Sequence, residues 1–353
     1  MRAVGLSPRS SSVTAVLTVF LTHQAEDLEA YYGRALPKLR AVAEVVLNPL
    51  DRDLDTSELI AAASGCEVII AHRSMPGEAT LFSGLPRLLA FLRCAVDIST
   101  IDVSAASAEG VLVGHADKSF IPSTAELALA LMLDLARNVT ESTIDFRTGL
   151  CPAQRPGIQL KGRVAGIIGY GAIGSYLAGV LRGLGMCVLV TDPLVESTPD
   201  GFEQCELDEL LARSDFVLPL APATCSTANM IDAEALRAMR PGAMIVNVSR
   251  GELLDEAAVA AALDSGHLGG LAMDVGRSSD QRPSPELARR PGVIATPHLG
   301  GLTPENADAQ AVSSVEQVTA ILQGAMPPRS VNAEHASRLR SWWGAGHDTE
   351  ETP

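Results

Sequence analysis

The residues from Val164 to Gly174 form an apolar stretch of strand length that ends in Gly-x-Gly-x-x-Gly, at Gly169, Gly171 and Gly174. This pattern suits a turn that cradles a pyrophosphate. Gly169 permits the sharp turn, Gly171 lets the backbone approach the phosphates, and Gly174 lets the next helix pack close to the strand. With Ala172 and Ile173 they open a helix, and the free N–H groups of a helix N-terminus attract anions. The next apolar run, Met186 to Thr191, ends at Asp192. An acid there accepts hydrogen bonds from an adenosine ribose and repels a 2′-phosphate, so the expected cofactor is NAD rather than NADP. The glycine pattern alone is weak evidence; strand, turn, helix and acid in this order make it a dinucleotide site.

Such a turn needs a parallel sheet to hold it, and the chain alternates apolar runs with helical stretches as βα units do. In the first third, strands are expected at Val13–Phe20, Val42–Leu47, Glu67–Ala71, Leu88–Cys94 and Gly110–Val113, with helices at Ala25–Leu39, Thr56–Ala63 and Val103–Glu109. Ser123 and Glu126 read as the capping box of a helix that runs to Arg137 and is apolar on nearly every side. Such a surface must be buried by a second domain or a second subunit. From Thr143 to Gly157 the chain is polar and reads as an arm leading to the glycine turn.

After Asp192 the alternation resumes, with strands expected at Phe216–Leu220, Ala243–Val248 and Gly270–Val275, a further run from Val293, and a long helix over Pro304–Leu322. Ser330–Asn332 extends the first domain, and the chain beyond Trp343 reads as a disordered tail. Val248, Ser249 and Arg250 stand at one strand end, Asp274 at the next, and His298 after the last run. Ligands of open parallel sheets bind beyond the carboxyl ends of the strands.

Four stretches, Gly169–Gly174, Asn247–Leu253, Met273–Val275 and Thr296–Gly301, resemble in order and spacing the D-isomer-specific 2-hydroxyacid dehydrogenases. The resemblance is continuous from about Leu88 to Asn332. It implies an α/β protein of two Rossmann-like domains with parallel sheets, the cofactor domain inserted into the substrate domain. The boundaries expected are 119–298 for the NAD-binding domain, with 1–118 and 299–353 forming the substrate domain.

Reducing a 2-keto acid takes a hydride donor, a cation for the carboxylate and carbonyl, and an acid for the new alkoxide. Arg250 can supply the cation through paired charge-assisted hydrogen bonds, and His298 the proton. The matching arginine and histidine have these roles in the family, as the resemblance implies. Singly, an arginine after a strand is most often a surface ion pair and a lone histidine structural; the ordered pair carries the reading. The resemblance also places Asp274 on the nicotinamide carboxamide, and Leu218, Pro219 and Thr224 along the adenine side.

Two departures from the family pattern stand out. The usual glutamate that keeps the histidine protonated is replaced by Ser279, and the nearest acid is Asp280. Asp280 is the expected substitute; Gln281, holding a neutral imidazole, is the alternative. The Gly-x-Gly turn whose backbone would hold the substrate carboxylate is replaced by Ala95-Val96-Asp97, so Val96 and Asp97 fall at the substrate-binding place. Asp97 would repel an anion if it faced one, which points to an atypical substrate. Arg73 and Ser74 can add a contact.

The chain has 353 residues, which suits two domains. A net charge of −15 opposes nucleic acid or an anionic membrane as partner. Six scattered cysteines, without metal-ligand spacing, fit a reduced, cytoplasmic protein with no metal. Arg2 and Arg9 before the run Val13–Leu21 loosely resemble a signal peptide, although that run also reads as a first strand. The partners expected are a small 2-keto or 2-hydroxy acid and a second copy of the chain, in a homodimer through the cofactor domain. Two other readings keep NAD: a dehydrogenase of formate, phosphite or a similar anion, and a non-catalytic NAD-binding protein like the family's corepressors. A methyltransferase would not need the pair Arg250 and His298.

Overall fold

In a computed structural model, which describes residues 17–198, 201–278 and 280–344, the chain forms two compact units. One combines the residues before 120 with those after 303; the other is 120–303.

The first unit carries a parallel sheet of β1 (Thr18–Leu21), β2 (Glu44–Leu47), β3 (Val68–Ala71), β4 (Ala90–Arg93) and β5 (Leu112–His115), in the order β2-β1-β3-β4-β5. β3 and β4 are buried along their whole length, which explains their near-continuous apolar sequences. The two-residue period of a strand divides the sheet's side chains. Val19, Leu21, Ile70 and Leu92 meet the helix Pro304–Leu322 on one face, whereas Phe20, Ile69, Phe91 and Val113 pack with Leu59, Leu81 and Phe82 on the other. The segment after that helix returns to the sheet edge. Ser330 bridges Gly114, the Asn332 Oδ1 accepts from Val113 N at 2.8 Å, and its Nδ2 donates to the Val111 carbonyl at 3.0 Å.

The expected helix Ala25–Leu39 is broken. It becomes a turn of α-helix at Ala25–Asp27, a π-helical turn at Leu28–Tyr32 and a second helix at Leu36–Arg40. Pro37 accounts for the restart, since it has no N–H to continue a helix yet fits a first turn. Of the expected strand Val13–Phe20, residues 13–16 lie outside the described residues, as do the two arginines before it and the tail after 344.

The second unit carries seven strands: β6 (Val164–Ile168), β7 (Cys187–Thr191), β8 (Glu203–Gln204), β9 (Phe216–Pro219), β10 (Ala243–Asn247), β11 (Leu268–Met273) and β12 (Val293–Ala295). All pair in parallel, in the order β12-β11-β10-β9-β6-β7-β8. The order reverses between β6 and β9, so these two strand ends open a crevice. The helix Ile121–Arg137 lies on this sheet with one face, Ala125, Ala128, Leu131, Met132 and Leu135, in the core. Its expected cap is absent: the cap position moves three residues earlier, to Phe120, which has no side-chain bond, and the Ser123 hydroxyl pairs with Thr303 Oγ1. The expected arm begins as a helix, Val139–Arg147. Asn138 turns the chain in the left-handed conformation, and the Asp134 carboxylate accepts from Thr140 N at 2.8 Å to start the new helix.

His23 and His72 stand at the carboxyl ends of β1 and β3, the reversal point of the first sheet, with ring centroids 5.9 Å apart. Burial, followed by the neighbouring His72, lowers the His23 pKa from 6.5 to about 3. A base whose folded pKa is depressed binds fewer protons folded than unfolded, so its stability contribution is present above 6.5 and lost as pH falls towards 3. Urea unfolding from pH 7 to 4 should therefore show stability falling by roughly 1 kcal/mol per pH unit below about 6 from His23 alone. His23→Phe is expected to flatten that slope; an unchanged slope would refute the assignment.

Candidate active site

The glycine turn follows β6 at the reversal point. Gly169 has φ +102°, donates its N–H to the Thr191 carbonyl at 2.8 Å, and a Cβ on it would lie 2.8 Å from Ala221 N in the loop after β9. At Gly174 a Cβ would sit 2.1 Å from the Gly169 carbonyl oxygen, so only glycine lets helix Ala172–Gly183 pack this closely. Gly171 is different: a Cβ there meets nothing within 4 Å. Gly171 and Ala172 are exposed, Ile173 half-buried, and the first turn of the helix is open to a ligand.

Asp192 shapes this turn from the neighbouring strand. Its Oδ2 accepts from Tyr170 N at 2.7 Å and its Oδ1 from Leu194 N at 2.9 Å. A carboxylate has about four acceptor positions, so Asp192 can still accept from a ribose. It lines a cavity of about 210 Å³ with Thr191, Pro193, Gln204, Cys205 and Glu206. Two carboxylates on this cavity disfavour a 2′-phosphate. An open helix N-terminus beside a partly used acid fits the phosphates and ribose of NAD.

The other expected cofactor positions are placed less openly. Leu218 and Val248 are core side chains, packed with Ala165 and Val246, so neither presents its side chain to a ligand. Pro219 is buried in the ladder opposite Ile168. Thr224 is exposed and closes a local turn, its hydroxyl 2.9 Å from Ser226 Oγ and its N–H donating to Thr227 Oγ1.

Strand register aligns the remaining groups. Asn247 pairs with Met273, and Met273 with Ala295, so β10, β11 and β12 end in one row. Arg250 and His298 each follow that row by three residues. Asn247, whose role sequence reasoning missed, forms an Asx-type turn: its Nδ2 donates to the Arg250 carbonyl at 2.8 Å and its Oδ1 accepts from Ser249 N at 3.1 Å. Ser249 Oγ donates to the Ala221 carbonyl, and Arg250 Nη1 to the Ser249 carbonyl at 2.8 Å. A Cβ on Gly251 would lie 2.2 Å from the Gly276 carbonyl carbon, so the loops after β10 and β11 touch backbone to backbone. Arg277 strengthens that junction by donating to the carbonyls of Glu252 and Leu254.

Asp274 does not lie open to a nicotinamide. The residue is 0% exposed and its carboxylate accepts three bonds, from Thr296 Oγ1 at 2.6 Å, Leu299 N at 2.7 Å and Gly300 N at 2.7 Å. These donors bracket His298, which is held in the left-handed conformation at φ +62°. That conformation is costly for a residue with a Cβ and persists when its surroundings enforce it.

Asp280 is likewise placed elsewhere than expected. Its exposed carboxylate accepts from Ser278 Oγ at 2.6 Å and Arg282 N at 3.1 Å, and stands 3.4 Å from Arg282 Nε. The Ser278 bond, then that of Arg282 N, holds its pKa below the usual carboxylate value. Both of these accepted bonds fall on Oδ1 and lie within the turn of Asp280 itself. Ser279, at the glutamate's place, lies outside the described residues. Gln281 is in the left-handed conformation, half-buried, and its Oε1 has no hydrogen-bond partner among the described residues. In the first unit, Val96 is half-buried and Asp97 exposed, with Asp97 Oδ1 accepting from Ser99 N at 2.9 Å.

A parallel sheet with a glycine turn at its reversal point and an open helix N-terminus beside it defines a dinucleotide-binding frame. Residues 129–300 match the model of the D-isomer-specific 2-hydroxyacid dehydrogenase NAD-binding domain. A glyoxylate reductase of Korarchaeum cryptofilum is 30% identical over 324 residues, covering 90% of this chain and 96% of the reductase. A D-3-phosphoglycerate dehydrogenase of Mycobacterium leprae is 35% identical over 286 residues, covering 79% of this chain but 54% of that enzyme. The chain thus spans about half the length of the phosphoglycerate dehydrogenases it matches. Among solved structures, the pyruvate reductase of Chlamydomonas reinhardtii superposes with a TM-score of 0.76 at 25% identity, over 90% of this chain and 99% of that one. The chain belongs to the D-isomer-specific 2-hydroxyacid dehydrogenase family, and its cofactor is NAD.

Asp274→Asn must turn an N–H towards one of the three donors. It is expected to cost about 2 kcal/mol of stability and to speed amide exchange at Leu299 and Gly300, while NADH affinity stays within a few-fold. Loss of NADH affinity with unchanged exchange would instead put the carboxylate on the cofactor.

Proposed function

We propose that the protein is an NAD-dependent oxidoreductase that interconverts a D-2-hydroxy acid and its 2-keto acid. The observation that carries this is the row of strand ends that aligns Arg250 and His298 beside the glycine turn in one sheet. NAD, when bound, supplies or accepts the hydride. Arg250 binds the substrate carboxylate and polarises the carbonyl, while Asn247 fixes the backbone that carries it. His298 gives a proton to the oxygen on reduction and takes it back on oxidation. In the first unit the N–H groups of Ala95 and Val96 have no backbone acceptor among the described residues. The names of the relatives place glyoxylate, pyruvate and 3-phosphoglycerate among the acids to try first.

Asp280's retreat into its own turn favours one other reading, an NAD-binding protein without turnover. NADH absorbance against a panel of 2-keto acids decides between the two. Turnover is expected for at least one acid, with Arg250→Ala and His298→Ala each lowering it by about a hundredfold or more and NADH still binding to both. Silence across the panel with intact NADH binding would transfer the case to the second reading or to an anion such as formate.

We infer in addition a homodimer in a reducing, cytoplasmic setting. All six cysteines are unpaired, and no helix among the described residues is long and apolar enough to cross a membrane. Leu133, Val139, Ile144, Phe146 and Leu150 are exposed on and after the two helices that lead to the glycine turn, Phe146 at 67% and Leu150 at 61%. An isologous contact would bury them. Sedimentation should give a dimer at micromolar concentration, and Phe146→Asp with Ile144→Asp should shift it to monomer. A monomeric parent would defeat the inference.

A further inference from the structure

Arg93, the last residue of β4, carries a guanidinium with an unusual environment. The residue is 0% exposed, and among the described residues no carboxylate pairs with it within 4.0 Å. Its bonds go to neutral groups. Nη1 donates to the carbonyls of His72, at 2.6 Å, and Arg73; Nη2 donates to the Met75 carbonyl at 2.6 Å and to Thr100 Oγ1 at 2.9 Å. Nε is buried without a hydrogen-bond partner among the described residues. A buried charge without a counter-charge is costly, so the fold retains it at the expense of stability.

The groups it gathers belong to two loops. The loop after β3 contains Arg73, Ser74 and Met75; the loop after β4 runs from Cys94 to Ile101. Backbone bonds complete the join, with Gly77 N donating to the Thr100 carbonyl at 3.0 Å and Asp102 N to the Gly77 carbonyl at 2.8 Å. Both loops lie at the carboxyl end of the sheet, and the second holds the unclaimed amides of Ala95 and Val96 and the exposed Asp97. Burial lowers the Arg93 pKa to about 10, against the opposing pull of Asp97, so the group is a full cation at neutral pH.

We propose that Arg93 is a positioning residue for the substrate anion: its buried cation locks the 72–77 and 94–101 loops together and offsets Asp97, the residue next to the amides of Ala95 and Val96. The proposal rests on the dehydrogenase reading for the identity of the anion, a 2-keto carboxylate. It explains how a loop that has lost two glycines and gained a carboxylate still accepts an anion. Arg93 is itself buried, so its potential reaches the loop through the low-dielectric interior, where it is screened least.

The test uses the full chain, the best 2-keto acid of the panel and three variants. Arg93→Met, which keeps bulk and removes charge and bonds, should raise KM for the acid about tenfold or more with a smaller change in kcat and an unchanged NADH dissociation constant. Arg93→Lys, which keeps the charge, should recover part of that KM. Thr100→Val removes one tie only and should raise KM by about threefold, which keeps the test open if Arg93→Met does not fold. Amide exchange at Gly77, Ile101 and Asp102 should quicken in Arg93→Met, with residues 120–303 unaffected. Faster exchange with unchanged KM would leave Arg93 a structural clamp and overturn the proposal, as would a lysine variant no better than the methionine one. Absence of turnover in the parent protein overturns the dehydrogenase reading instead, and the two failures are thereby distinct.

Discussion

The carboxylate of Asp274 is the interaction on which the second unit's working end depends. A charge with no exposure to water is tolerated when donors replace that water, and three of them do so here within 2.7 Å. Each donor comes from the segment that carries His298. The strand end therefore determines the path of a loop that has no regular hydrogen-bonding pattern of its own. Gly276 continues the same strand end and abuts Gly251, so the loop that carries Arg250 is referred to the same base. Arg250 and His298 follow separate strands, yet the loops that carry them both meet the short segment just after β11.

The first unit solves a similar problem with the opposite charge. Its sheet, like the second, reverses order between a first strand and the strand beside it, but no glycine turn follows β1. Histidines occupy that point, and the loops after β3 and β4 are collected by Arg93 instead. A carboxylate gathers N–H and O–H donors; a guanidinium gathers carbonyls. The carbonyls that Arg93 gathers, of His72, Arg73 and Met75, all belong to the loop after β3, and the loop after β4 is joined to them through Thr100 Oγ1.

Much of this was legible in the sequence where local rules and tertiary contacts agree. The glycine turn between β6 and its helix was readable because Gly169 and Gly174 each answer a separate steric demand, and the apolar runs of β3, β4 and β6 because buried strands have no polar face to hide. The helix Ala25–Leu39 was misread because apolar periodicity outweighed Pro37, and the start of Ile121–Arg137 because a capping pattern at Ser123 is only one way to begin a helix. Asp274 and Asp280 show the harder limit. Both are acids at the edge of the same loop, and only three-dimensional contacts reveal that one is consumed by the His298 segment and the other by its own turn. Arg93 gave no signal, since an arginine closing an apolar strand looks like any surface cation until the carbonyls around it are counted.

The overall charge sharpens the importance of these local devices. At −15 the molecule repels both a dinucleotide and a small carboxylate at long range. At physiological ionic strength that field fades over about 8 Å, so it slows encounter more than it opposes binding once a ligand has arrived. Affinity for an anion must then come from donors within a few ångströms, such as the N–H groups at the open helix start of Gly171 and Ala172. Such donors act strongly only when held in place, because a mobile donor gives up to its own ordering part of what it gains from the ligand. The buried charges of Asp274 and Arg93 fix the segments they bind, the His298 loop in one unit and the loops after β3 and β4 in the other, where water does not compete. An acidic protein can in this way accept anions without a basic surface, and its selectivity rests on the stiffness of a few loops.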